Sequence, residues 1–156
     1  MAILLQEENL LERTTIYATD INSRTLNQAS AGLFDKKIFQ YYEGSYKASG
    51  GLHSLTNYYS NTNGMAFMNE NLKKNITFAD HSLATDNVFS EMHFISCRNV
   101  LIYFNRDLQN KVIGLFNQSL HRKGFLGLGS KETIQFSENA KHFDPFVMKD
   151  RIYQKK

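Results

Sequence analysis

Residues 93–128 read HFISCRNVLIYFNRDLQNKVIGLFNQSLHRKGFLGL, and the order of patterns in this stretch decides the fold class. Residues 93–96 are short, apolar and β-prone, and they run into the polar Cys97-Arg98-Asn99, which predicts a strand ending in a loop. Asn105 then precedes Leu108, Val112, Leu115, Phe116 and Leu120, whose spacing keeps one face of a helix apolar with Asn105 as its N-cap. Gly124 stands where a C′ residue would close that helix. The basic run His121-Arg122-Lys123 is accordingly expected at the helix end, where cations complement the dipole. Residues 125–128 predict the next strand. Strand, helix and strand in this order are the unit of an α/β domain with a largely parallel sheet, whose ligand gathers outside the carboxyl ends of the strands.

The same alternation extends outward. Residues 15–18 predict a strand, followed by the polar turn Thr19-Asp20-Ile21-Asn22 and a helix carrying Leu26, Ala29 and Leu33, with Asn22 or Ser23 as its cap. Residues 76–78 predict another strand, and Ile152 with Tyr153 a last one after an irregular segment containing Pro145. Residues 1–11 read as an amphipathic helix. Loops carrying Asp20, Ser82 and the residues after Ser96 are thereby expected at one sheet edge. Between residues 32 and 74 the pattern loosens into Gly, Ser, Asn and Tyr. Short helices and a hairpin turning at Asn63-Gly64 into residues 65–68 are expected there, in an insert at about residues 40–74 suited to a substrate or partner.

Composition narrows the function classes. With 42% hydrophobic and 21% charged residues, the 156-residue chain can bury a core. No apolar stretch approaches the roughly 20 residues of a membrane helix, and residues 1–5 are too short for a secretory core, so a cytoplasmic protein without membrane insertion is expected. The single cysteine, Cys97, excludes an internal disulfide and CxxC chemistry, and no metal site is expected. Eighteen Lys and Arg against fifteen Asp and Glu form no basic cluster, which argues against a nucleic-acid partner.

Two segments are more specific: Ile16-Tyr17-Ala18-Thr19-Asp20-Ile21-Asn22, and Ile95-Ser96-Cys97-Arg98-Asn99-Val100-Leu101-Ile102-Tyr103-Phe104-Asn105. Together with Gly124-Phe125-Leu126-Gly127-Leu128-Gly129 and the closing Arg151-Ile152-Tyr153 they resemble the catalytic domain of the CheR family, S-adenosylmethionine-dependent methyltransferases that esterify glutamates of bacterial chemoreceptors. The resemblance covers nearly the whole chain, residues 1–156 as a partial catalytic domain. It implies a Rossmann-like class I methyltransferase sheet with a small β insert, S-adenosylmethionine as cofactor, S-adenosylhomocysteine as product and the cytoplasmic domain of a receptor as partner.

The resemblance also implies roles. Asp20 would bind the cofactor ribose, the alternative being an Asp that only shapes the turn; Ser82 and Leu83 would border the adenine, where many relatives have Asn-Leu. Methyl transfer to a carboxylate needs positioning more than acid or base chemistry. Arg98 would orient the acceptor carboxylate by a charge-assisted contact and Tyr103 would flank the methyl group, unless its ring belongs to the core. Asn99 would hold the loop at the cofactor side through local backbone bonding, and Cys97 would be a buried spectator.

The family's first strand and its glycine-rich Gly-Glu-Glu turn match nothing in the chain, which therefore resembles a truncated piece. Without that central strand, direct pairing of the two flanking strands or association into a homodimer is expected. Two functions follow: a protein-glutamate methyltransferase domain, or a catalytically inactive receptor-binding module that keeps the insert.

Overall fold

A computed structural model describes every residue except Phe89. The chain divides into two units, Met1–His81 and Ser82–Lys156, each with its own apolar core. The first contains α1 (Ala2–Glu7), β1 (Ile16–Asp20), α2 (Ser23–Ala31), β2 (Leu33–Asp35), α3 (Lys36–Ala48), β3 (Tyr59–Thr62), β4 (Met65–Met68), α4 (Glu70–Lys73) and β5 (Ile76–Asp80). The second contains β6 (Met92–Cys97), α5 (Arg106–Ser119), β7 (Leu120–Leu128), β8 (Phe143–Val147) and β9 (Ile152–Lys155). The chain is thus mixed α/β, as the strand–helix alternation predicts.

In the first unit β1 and β5 pair in parallel, with Asp20 opposite Asp80 at their carboxyl ends. Asn22 caps α2, its side chain accepting from the N–H groups of Arg24 and Thr25. Leu33 does not continue that helix. Gly32 adopts φ 64°, a left-handed C-cap, and turns the chain into β2. The helix expected over residues 1–11 likewise stops after Glu7: Asn9 has φ 56°, and Leu11 turns into the core from a 3-10 turn.

The insert forms the antiparallel sheet β2-β4-β3. Its β3–β4 hairpin turns on Asn63 at φ 51° and Gly64 at φ 78°, the pair of left-handed residues that a type I′ turn requires. The sheet draws in Leu33–Asp35, ahead of the insert boundary read from sequence, and α3 is a full thirteen-residue helix rather than a short one. Phe39, Leu55, Tyr58 and Ala66 pack with Leu11 and Leu72 in one core, so the insert is not a separate body within this unit. The Glu7 carboxylate ties α1 to it, accepting from the Tyr46 hydroxyl, from the Tyr58 hydroxyl at 2.7 Å and from the Leu52 N–H at 3.2 Å.

The second unit holds the sheet β6-β7-β9-β8, in which β6 and β7 are parallel and the remaining pairs antiparallel. The sheet is therefore less parallel than the sequence pattern suggests. Pro145 lies inside β8, an edge strand with a register shift beside it, where a missing N–H is tolerated. Leu101, Val112, Ile113, Phe116, Leu126 and Leu128 form the centre of the core.

Two expectations about α5 fail together. The helix ends at Ser119 because Leu120 is already extended, and Gly124 lies within β7 rather than at C′. Residues 121–123 are consequently strand residues, and the cation that serves the helix end is Lys155, whose Nζ donates to the carbonyls of Asn117 and Leu120 at 2.5 and 2.7 Å. Gly124 answers to a different constraint. A Cβ there would lie 2.8 Å from the His121 carbonyl oxygen and 3.0 Å from that of His93, at an irregularity in the β6–β7 register.

Among the described residues β1 is hydrogen-bonded to β5 within the first unit and β6 to β7 within the second. Among the described residues no helix is long and apolar enough to cross a membrane, and no three His, Cys, Asp or Glu side chains form a metal-binding group.

Candidate functional site

The loop that leaves β6 is the best-defined part of the candidate site. Asn99 adopts φ 59°, a left-handed conformation that asparagine tolerates better than most residues, and this turns the chain sharply after Arg98. A 3-10 turn at Leu101–Tyr103 follows, its Tyr103 N–H donating to the Val100 carbonyl at 3.1 Å. Leu101 is buried in the core while Tyr103 is 80% exposed, so the turn is anchored on one side and offers an aromatic ring on the other. Gln109 of α5 braces its far end, donating from Nε2 to the carbonyls of Leu101 and Phe104 at 2.9 and 3.0 Å.

The near end is held by a residue that sequence reading missed. Glu132 is only 3% exposed. Its Oε1 accepts from the N–H groups of Val100 and Leu101, both at 2.8 Å, and its Oε2 from those of Asn99 at 2.9 Å and Gly129 at 2.7 Å. Asn99, expected to fix this loop, contributes its backbone conformation and its N–H; the fixing group is Glu132. An acidic residue three positions after a glycine is the only sequence signal for it, and that signal does not reveal burial.

Arg98 is exposed, and among the described residues its guanidinium makes no hydrogen bond or ion pair. Cys97, immediately before it, is buried, and burial followed by the charge of Glu132 pushes its thiol up to about 12. Both effects favour the thiol over the thiolate, the form that acts as a nucleophile.

Ser82 and Leu83 lie in the same unit. Ser82 opens a turn in which its N–H donates to Asp86 Oδ2 at 2.8 Å and its hydroxyl accepts from the Thr85 N–H at 3.3 Å. Lys111 of α5 fastens this turn through the Ala84 carbonyl at 2.8 Å, and Leu83 packs on the unit's core. Asp20 belongs to the first unit, half-buried at the carboxyl end of β1. Its Oδ1 accepts from the Asn22 N–H at 2.8 Å, and no described residue donates to its Oδ2. Two polar surface clefts of the first unit, about 270 and 460 Å³, lie away from this strand end, against Ile76 and against Thr15 and Thr77.

The model of the CheR methyltransferase SAM-binding domain matches residues 1–151. The chain belongs to that family. A Pseudomonas putida protein whose name describes it as a methyltransferase, Cher3, is 53% identical over 155 residues, 99% of this chain and 57% of that protein. Chemotaxis protein methyltransferases of Borreliella burgdorferi and Vibrio anguillarum are 29% and 27% identical, covering 88% and 83% of this chain but 47% and 45% of their own lengths. The chain thus spans about half the length of these curated relatives.

A CheR domain of this kind binds S-adenosylmethionine, and the residues present fit part of that demand. The uncommitted Oδ2 of Asp20, at the carboxyl end of a parallel strand, is an acceptor suited to ribose hydroxyls.

Proposed function

We propose that this chain is the cofactor-binding and catalytic part of a protein-glutamate O-methyltransferase acting on the cytoplasmic domain of bacterial chemoreceptors. The observation that carries this reading is the loop after β6, which presents an uncommitted Arg98 guanidinium and an exposed Tyr103 from a backbone held by Glu132 and Gln109. A guanidinium on a rigid loop suits a carboxylate, which it can hold by directional, charge-assisted hydrogen bonds. Arg98 would hold the ionised acceptor glutamate, and Tyr103 would border the reacting centre. S-adenosylmethionine, when bound, supplies a methyl group on a sulfonium. The acceptor oxygen gains that methyl group as the carbon–sulfur bond breaks, and the thioether S-adenosylhomocysteine leaves. No proton moves, which is consistent with a loop whose buried acid, Glu132, is saturated with backbone N–H groups. Asp20 would take the ribose, with Ser82, Leu83 and Asn99 beside the cofactor.

Calorimetric titration of the chain with S-adenosylhomocysteine, followed by transfer of labelled methyl groups to receptor fragments, tests this reading. Micromolar binding and stoichiometric ester formation are expected. Receptor binding without cofactor binding would favour instead an inactive recognition module, for which the exposed Tyr41 and Tyr42 of α3 supply a surface.

A further inference from the structure

A carboxylate as buried as Glu132 must be compensated, either by a cationic side chain such as Arg98 or by backbone N–H groups such as those of the loop that follows Arg98. The structure uses the backbone. Four N–H groups at 2.7–2.9 Å, two on each oxygen, saturate the carboxylate. Three come from consecutive residues, Asn99, Val100 and Leu101, so a single charge sets the orientation of three successive peptide planes immediately after Arg98. The fourth comes from Gly129 at the end of β7, which fastens the loop to the neighbouring parallel strand.

Gly129 is fitted to the same purpose. A Cβ at this position would lie 2.6 Å from Glu132 Oε2 and 3.0 Å from the Asn99 nitrogen, so any larger residue displaces either the carboxylate or the loop.

We propose that Glu132 is a positioning residue of the methyl-transfer site: by binding backbone N–H groups in place of Arg98, it shapes the loop and leaves the guanidinium available for the acceptor carboxylate. This rests on the proposed methyl transfer, although the loop-holding role can be read without it. Arg98 and Tyr103 both depend on the loop, and an error of about 1 Å in placing a reacting group can cost about 100-fold in rate.

Amide exchange measured by NMR on the full chain, alongside steady-state methylation of a receptor fragment, decides the matter. Glu132→Gln offers one carbonyl oxygen and one NH2 group, so protection is lost at one pair of amides, Asn99 with Gly129 or Val100 with Leu101, and kept at the other. Glu132→Ala exposes all four. Gly129→Ala, which retains the acid, loosens Asn99 first. In the Gln and Gly129→Ala proteins kcat falls about 100-fold while KM for S-adenosylmethionine stays within about threefold. Retained protection at all four amides in Glu132→Ala overturns the proposal, as does exchange that rises equally across the whole unit, or loop release with unchanged kcat. A wild-type chain that transfers no methyl group counts against the proposed function instead; the pairwise exchange pattern then supports the loop-holding role, and its absence overturns it.

Discussion

The Asn22 N–H donates to Asp20 Oδ1 at 2.8 Å, and Asn22 Oδ1 in turn caps α2, so one end of the Asp20 carboxylate is fixed by the turn that follows β1. No described residue donates to the other oxygen. Asp20→Asn keeps an acceptor for the turn but loses the charge, and is expected to weaken S-adenosylhomocysteine about tenfold or more; Asp20→Ala should abolish binding in calorimetry. Equal affinity in wild type and Asp20→Ala would remove Asp20 from the cofactor site.

Arg98 and Tyr103 can be tested without disturbing the fold, since both side chains are exposed. Arg98→Ala and Tyr103→Phe should leave the melting temperature within about 2 °C. Arg98→Ala is expected to lower kcat/KM for the receptor fragment by about 100-fold or more, with S-adenosylhomocysteine affinity little changed. Loss of cofactor affinity in step with activity would instead place Arg98 on the cofactor.

Glu7 gives the first unit a defined response to acid. The Tyr46 hydroxyl, then those of Tyr58 and the Leu52 N–H, hold its carboxyl below the ordinary glutamate value of 4.5. A group with a depressed folded pKa contributes stability above its unfolded pKa and loses it as pH falls through the folded value. Burial and the bond to Glu7 raise the Tyr58 phenol above its ordinary 10.0, so its contribution is present below that pH and fades above it. Urea midpoints of wild type should fall below pH 4.5 more steeply than those of Glu7→Gln. Parallel curves would show that the bonds to Glu7 are of no consequence in solution.

Gly124→Ala places a methyl group against two backbone carbonyl oxygens, neither of which can rotate aside. A destabilisation of about 1–3 kcal/mol is expected, read from urea denaturation. Were Gly124 a helix C′ residue outside the strand, the same change would leave the β6–β7 amides as protected as in wild type.

Association of two copies is expected from the sheet order, because among the described residues β6 has β7 as its one strand neighbour. Sedimentation equilibrium should show a concentration-dependent shift toward twice the 18.0 kDa chain mass. A constant monomer mass over the accessible range would dismiss it.

Much of the fold was legible because it rests on local chemistry. The caps at Asn22 and Asn105 and the Asn63-Gly64 turn each need only a few consecutive residues, and each formed where the pattern put it. At the end of α5 a glycine and the basic run at residues 121–123 mimic a helix terminus, whereas the carbonyls are served by Lys155, far along the chain. Leu33 was misplaced for the related reason that helical spacing continues through a glycine that leaves the helix.

By itself the sequence determined the alternation of strands and helices, the hairpin, the family and the residues Asp20, Arg98 and Tyr103 as candidates, since these depend on neighbouring side chains or on contiguous motifs. Tertiary structure alone decided that Arg98 stays uncommitted and that the loop behind it is held by Glu132. A buried carboxylate chooses its partners by which N–H groups the packed strands bring within 3 Å, and separation along the chain does not encode that distance.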